Sequence, residues 1–177
     1  MDRKLEDALK SSIERYINEY YTDPAMDTFC LEILDLEEDL SVGSFQEDDY
    51  IPPKALSLKE MLRREDAGFT EMLLRRIDET GKKDSEIYKK ANISKQHFSK
   101  IRSNLHYRPT KATAIALAMA LELDMEKTLD LIGRAGYTLS YSSKFDLIVR
   151  YFIENGKYNI TELNIALFEF DQPLIGG

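Results

Sequence analysis

Few side chains in this 177-residue chain are of the types that make or break covalent bonds. One cysteine, Cys30, and two histidines, His97 and His106, are the whole supply of thiol and imidazole. A thiolate nucleophile needs a base beside it, and these histidines are its only candidates. The histidines flank a turn and have no ligand partners at metal spacing. Asp48 and Asp49 form a carboxylate pair, but they sit beside Pro52 and Pro53 with nothing to position them. There is no Gly-rich phosphate loop and no Gly-x-Ser-x-Gly elbow. The reading is a non-enzyme with no metal and no cofactor. What remains is recognition chemistry. Lys95, Gln96 and Lys100 follow Ser94 at a spacing that presents two ammonium groups and an amide on the outside of one short helix, and His97 is a surface residue of the same helix.

Charge supports a local site. The net charge is −8, yet it is unevenly spread. Residues 69–137 carry 13 Lys and Arg against 9 Asp and Glu, while residues 1–68 carry 8 against 18. A basic third inside an acidic protein is the pattern of a polyanion-binding patch beside a solvating or regulatory region. Composition is otherwise that of a globular protein, with 43% hydrophobic residues. No stretch approaches a membrane span, and the N-terminus lacks the apolar core of a signal peptide, so a cytoplasmic protein is expected.

The elements that hold this helix read as helices throughout. Residues 3–21 place Leu5, Leu9, Ile13, Tyr16, Ile17 and Tyr20 on one face. Acidic clusters and a Pro pair then mark residues 22–56 as loop or linker, with one short helix over 26–34. Ser57 with Glu60 has the spacing of a capping box, which predicts a short helix over 57–64. Five helices follow in the basic third. The first runs from Thr70 to Glu79 and stops at Gly81. The second is capped by Asp84, the third by Ser94, and the fourth runs from Thr110 to Leu123. The fifth opens at Asp124 and ends near Gly136. Two apolar segments close the chain: one after Ser142 and Ser143 ending at Asn155-Gly156, and one from Asn159 or Thr161 to Phe170. Ile175-Gly176-Gly177 reads as a flexible end. The expected fold class is all-α.

Three groups of residues carry a resemblance. Asp84 to Ala91, the turn Asn92-Ile93-Ser94 and the helix Lys95 to Ser103 are followed by an Ala-rich helix over 112–123. Small Ala91 permits close helix approach, Ile93 inserts at the turn, and Phe98 and Ile101 face inward opposite Ile87. Over Leu73 to Ile132 this resembles the XRE/lambdoid-repressor family of helix-turn-helix domains. Over about residues 57–176, Gly133-Arg134-Ala135-Gly136-Tyr137-Thr138-Leu139-Ser140 and Tyr151-Phe152-Ile153 add a likeness to a bacterial XRE-like family with a helical C-terminal extension. The resemblance implies that Lys95, Gln96 and Lys100 read base edges in the major groove. It implies phosphate or accessory contacts from Ser94, His97, Arg102, Asn104, Tyr107, Arg108 and Lys111. Asn104 stands where the family often has Gly, which suits a left-handed backbone.

The expected organisation is residues 1–56 as N-terminal helix and acidic linker, 57–137 as a five-helix helix-turn-helix domain, and 138–177 as a helical extension packed on it. The expected function is sequence-specific binding of double-stranded DNA in transcriptional regulation. A local balance of +4 implies weak, salt-sensitive binding unless the protein is a homodimer. The alternative is a protein-interaction or adaptor module of a multi-component bacterial system, with a partner held through residues 1–56 or the C-terminal helices. The aromatic-rich C-terminal helices either complete the core or present a partner surface.

Overall fold

The computed structural model describes residues 6–23 and 67–176. Among the described residues every regular element is an α-helix. In chain order these are α1 Asp7–Tyr20, α2 Phe69–Thr80, α3 Asp84–Lys90, α4 Lys95–Ser103, α5 Lys111–Ala120, α6 Met125–Gly133, α7 Lys144–Glu154 and α8 Ile160–Glu169. None is long and apolar enough to cross a membrane. The helices expected over 26–34 and 57–64, with Cys30, Asp48 and Asp49, lie outside the described residues. The chain divides into two compact units, Met1–Tyr21 with Ala67–Gly177, and Thr22–Asp66. The first helix therefore belongs to the same unit as the C-terminal helices.

Local signals account for most helix ends. The side chains of Ser94, Thr110, Asp124, Ser143 and Asn159 each accept a hydrogen bond from a backbone N–H of the first turn they precede. Gly81 closes α2 at φ 64°, a conformation that costs glycine little. Two ends differ from expectation. α3 starts at Asp84 itself, after Lys83, with no side-chain cap; the Asp84 carboxylate is turned toward α4 instead. α5 stops at Ala120, because Glu122 adopts φ 57° and reverses the chain before Asp124.

α5 is the centre of the body. Residues 113–120 are all buried, and it packs on α3, α6 and α8. Alanine at 114, 116, 118 and 120 lets those helices approach closely. α4 lies against α2 and α3, and α2 against α6. α7 contributes Leu147, Ile148, Val149 and Phe152 to the same core as α5, and α8 contributes Leu163, Ala166 and Leu167. The C-terminal helices thus complete the core. Truncating fully buried Phe152 to alanine costs about 3–5 kcal/mol by the usual behaviour of such sites.

α1 closes the far side of α7. It buries Leu9, Ile13 and Ile17. Tyr16 donates its hydroxyl proton to Glu154 Oε2 at 2.6 Å, its ring meets Tyr151 edge-on, and Lys10 reaches Glu169 at 3.3 Å.

The chain end is built in as well. Ile175 is buried. The Asn164 amide donates to the Ile175 carbonyl and accepts from its N–H, both at 2.9 Å. Gly176, at φ 80°, lies so near the α3–α4 turn that a Cβ there would stand 2.9 Å from the Ala91 carbonyl oxygen. Residues 175 and 176 are an anchored strap, and the flexible end expected from the sequence is corrected at these positions.

Candidate nucleic-acid interface

α4 projects its polar side chains because its two apolar ones are fixed. Phe98 and Ile101 are buried at a spacing of three, and the Phe98 ring packs on Tyr88 of α3. The α3–α4 turn is held by Ile93, whose N–H donates to the Tyr88 carbonyl at 2.9 Å and whose side chain is buried. Asn92 supplies the left-handed residue that the turn requires, at φ 53°. With that base rigid, Lys95, Gln96 and Lys100 are exposed. None of the three side chains has a hydrogen-bond or ion-pair partner among the described residues.

The accessory residues divide into one group that is committed inside the fold and one residue that is open. The Ser94 hydroxyl accepts from the His97 N–H at 3.1 Å and caps α4. His97 is half-buried, and its Nε2 lies 2.8 Å from the Tyr107 hydroxyl. Each therefore holds the other. Arg102 Nη1 donates to both Asp84 carboxylate oxygens at 2.7 Å, which ties the last turn of α4 to the first of α3. Asn104 is extended at φ −124°, so the left-handed backbone expected there is corrected. Its Oδ1 accepts from the His106 N–H at 3.0 Å. Its carbonyl accepts from the Tyr107 N–H and from the Thr70 hydroxyl. Lys111, expected at phosphate, is instead directed into the body against buried Asp146.

Arg108 is the exception. It is exposed and has no ion-pair partner among the described residues. The backbone around it is braced on both sides. Pro109 is buried and its carbonyl accepts from the Tyr137 hydroxyl at 3.1 Å, while Lys111 is gripped by Asp146. Lys95, Gln96 and Lys100 on α4, and Arg108 on the braced loop after it, are thus uncommitted groups. Such a set can donate to phosphate oxygens or to base edges at little cost in side-chain desolvation.

Sequence reading missed two features around α4. Asp84 neutralises one of its cations, and Glu86 beside it is exposed, so the first turn of α3 is acidic. The only sequence sign was the pair of carboxylates at 84 and 86, which as helix-start residues carry no such message. The pairing across to residue 102 needs the fold. Compared with protein-family models, with curated proteins and with solved structures, the chain matches none.

Proposed function

We propose that this chain binds double-stranded DNA sequence-specifically as a transcriptional regulator, with α3 and α4 acting as a helix-turn-helix and α4 entering the major groove. One observation carries the reading. Lys95, Gln96 and Lys100 on the outside of α4 are uncommitted, while Ser94, His97, Tyr107 and Arg102 around them are used to hold the helix still. Gln96 suits adenine, and Lys95 and Lys100 suit guanine. Arg108 supplies a phosphate contact from a braced loop. The resemblance of residues 73–132 to XRE-type domains supports the same assignment. With so few free cations, one copy binds weakly at physiological salt, and a dimer on two half-sites about one helical turn apart supplies the missing affinity.

The acidic first turn of α3 favours a second reading, an adaptor module that uses this fold without DNA. One experiment separates the two: selection from random duplex DNA at two salt concentrations, with a Lys95→Ala, Gln96→Ala, Lys100→Ala variant as control. A motif enriched by the wild type and lost in the variant supports DNA readout. No motif, or one indifferent to the variant, gives the adaptor reading.

A further inference from the structure

The start of α7 carries a lysine that the fold does not use. Lys144 is the first residue of that helix and is exposed. Its side chain has no hydrogen-bond or ion-pair partner among the described residues. A cation at a helix start opposes the helix dipole, which favours an acid there. Asp146, two residues on, does not answer it, because that buried carboxylate is taken by Lys111 at 2.6 Å.

Lys144 and Arg108 stand on two segments that are bonded to each other. The Tyr137 hydroxyl donates to the Pro109 carbonyl at 3.1 Å. Lys111 Nζ reaches the Asp146 carboxylate and lies 6.0 Å from the centre of the Phe145 ring. Arg108 is the residue before Pro109, and Lys144 the residue before Phe145. The two segments also share a composition. In a chain with 32 Asp and Glu, residues 104–112 and 134–145 hold none. Their Lys and Arg are Arg108, Lys111, Arg134 and Lys144. Lys111 is spent on Asp146 and Arg134 on Asp130, which leaves Arg108 and Lys144. Both helix starts are fixed, α5 by the Thr110 cap and α7 by the Ser143 cap.

We infer that the start of α7, outside the helix-turn-helix, takes part in the DNA interface, with Lys144 joining Arg108 in donating to phosphates of the duplex that α4 reads. The inference rests on the proposed DNA binding and extends it to the C-terminal helices. Arg108 lies on the loop that leaves α4, and the bonds above hold the segment of Lys144 to that loop. Phosphates are the target, because neither cation stands on the helix that enters the groove, and backbone contacts of this kind fix register without reading sequence. The lack of acids matters in a chain of net charge −8, since a carboxylate beside either cation would repel the phosphate. Two cations alone hold an anionic bilayer weakly, whereas on DNA they add to the contacts of α4.

The test is the salt dependence of binding to a duplex of arbitrary sequence and about 20 base pairs, read by fluorescence anisotropy. Wild type is compared with Lys144→Ala, Arg108→Ala and the double variant. Lys127→Ala, which removes an ammonium group already paired with Asp124, is the control for net charge. The slope of log affinity against log salt should become shallower by about 1 in each single variant and by about 2 in the double. It should not change in Lys127→Ala. The motif selected by Lys144→Ala from random duplex DNA should be that of the wild type, and its unfolding curve should be unchanged. A wild-type slope in Lys144→Ala would overturn the inference and leave the DNA reading standing. An altered motif would also overturn it, by making Lys144 a base reader. So would a Lys144-dependent association with vesicles of about one-third phosphatidylserine at an unchanged DNA slope, which assigns the lysine to a membrane. A wild type that binds no duplex at all removes both readings together.

Discussion

Lys111 Nζ stands 2.6 Å from Asp146 Oδ1 and 2.7 Å from Oδ2, and the Asp146 side chain is 2% exposed. The same carboxylate accepts from the Ser140 N–H at 2.9 Å. A lysine that reads in sequence as a phosphate contact is thus the internal counter-ion of a buried acid. It joins the first residue of α5 to the first turn of α7. Lys111→Met leaves that acid unpaired, and the expected loss is about 3 kcal/mol in urea unfolding. Arg108→Ala behaves oppositely. It should leave the unfolding midpoint within about 0.5 kcal/mol of wild type and lower the salt slope of DNA binding by about 1. A Lys111→Met protein that kept full stability would remove the structural role assigned here.

Asp84 covers Arg102 with charge of the sign DNA would bring. Asp84→Asn weakens that hold and lets the guanidinium reach a phosphate. The expected outcome is tighter binding to non-specific duplex with a salt slope steeper by about 1. The gain should vanish in the Asp84→Asn, Arg102→Ala double variant. Equal slopes in Asp84→Asn and wild type would show that Arg102 lies out of reach of DNA.

The same two residues show what sequence could and could not reveal. Helix caps act over three residues, so Ser94, Thr110 and Asp124 were legible one by one, and with Ser94 the start of α4, while Asn159 stood as one of two candidates with Thr161. The exposed trio Lys95, Gln96 and Lys100 followed from the inward spacing of Phe98 and Ile101. Charge pairing is a different matter. Residues 84 and 102, or 111 and 146, meet only because helices cross, and no local pattern marks a lysine as internal. The Ala120 end of α5 was missed because Glu122 takes a left-handed backbone in a sequence that continues the apolar run. The buried strap at Ile175 was missed because its partner is a lone asparagine, Asn164.

Alkaline pH should release α1. Burial, then the Glu154 carboxylate, holds the Tyr16 hydroxyl well above its ordinary pKa of 10.0. A raised pKa in the folded state means that the neutral phenol favours folding. That contribution is whole below pH 10 and is lost as pH rises beyond it. Tyr16→Phe should be less stable at neutral pH and lose this alkaline dependence, read by tyrosine absorbance together with proteolysis near residues 21–23. An unchanged alkaline limb in Tyr16→Phe would place the titration elsewhere.

Asn164 is the sole clasp on the Ile175 backbone among the described residues. Asn164→Ala strips partners from a buried N–H and carbonyl, with an expected cost of about 1–3 kcal/mol. Amide exchange should quicken at Ile175, at Asn92, against which the strap lies, and at Ile93, which follows it in the turn. Protection unchanged at Asn92 and Ile93 would mean that the turn is rigid without it.

The seat of α1 has a consequence for how the protein is made. Tyr16 and Glu154 are 138 residues apart in the chain. α1 therefore finds its docking surface only when α7 has been synthesised. α2 to α6 in turn wait for α7 and α8 to cover the apolar flank of α5. Docking of α1 should accordingly be a late step of folding, because that contact spans most of the chain. Until α7 has been synthesised, Leu9, Ile13 and Ile17 lack the surface that buries them, and exposed apolar side chains of this kind favour association of unfinished chains.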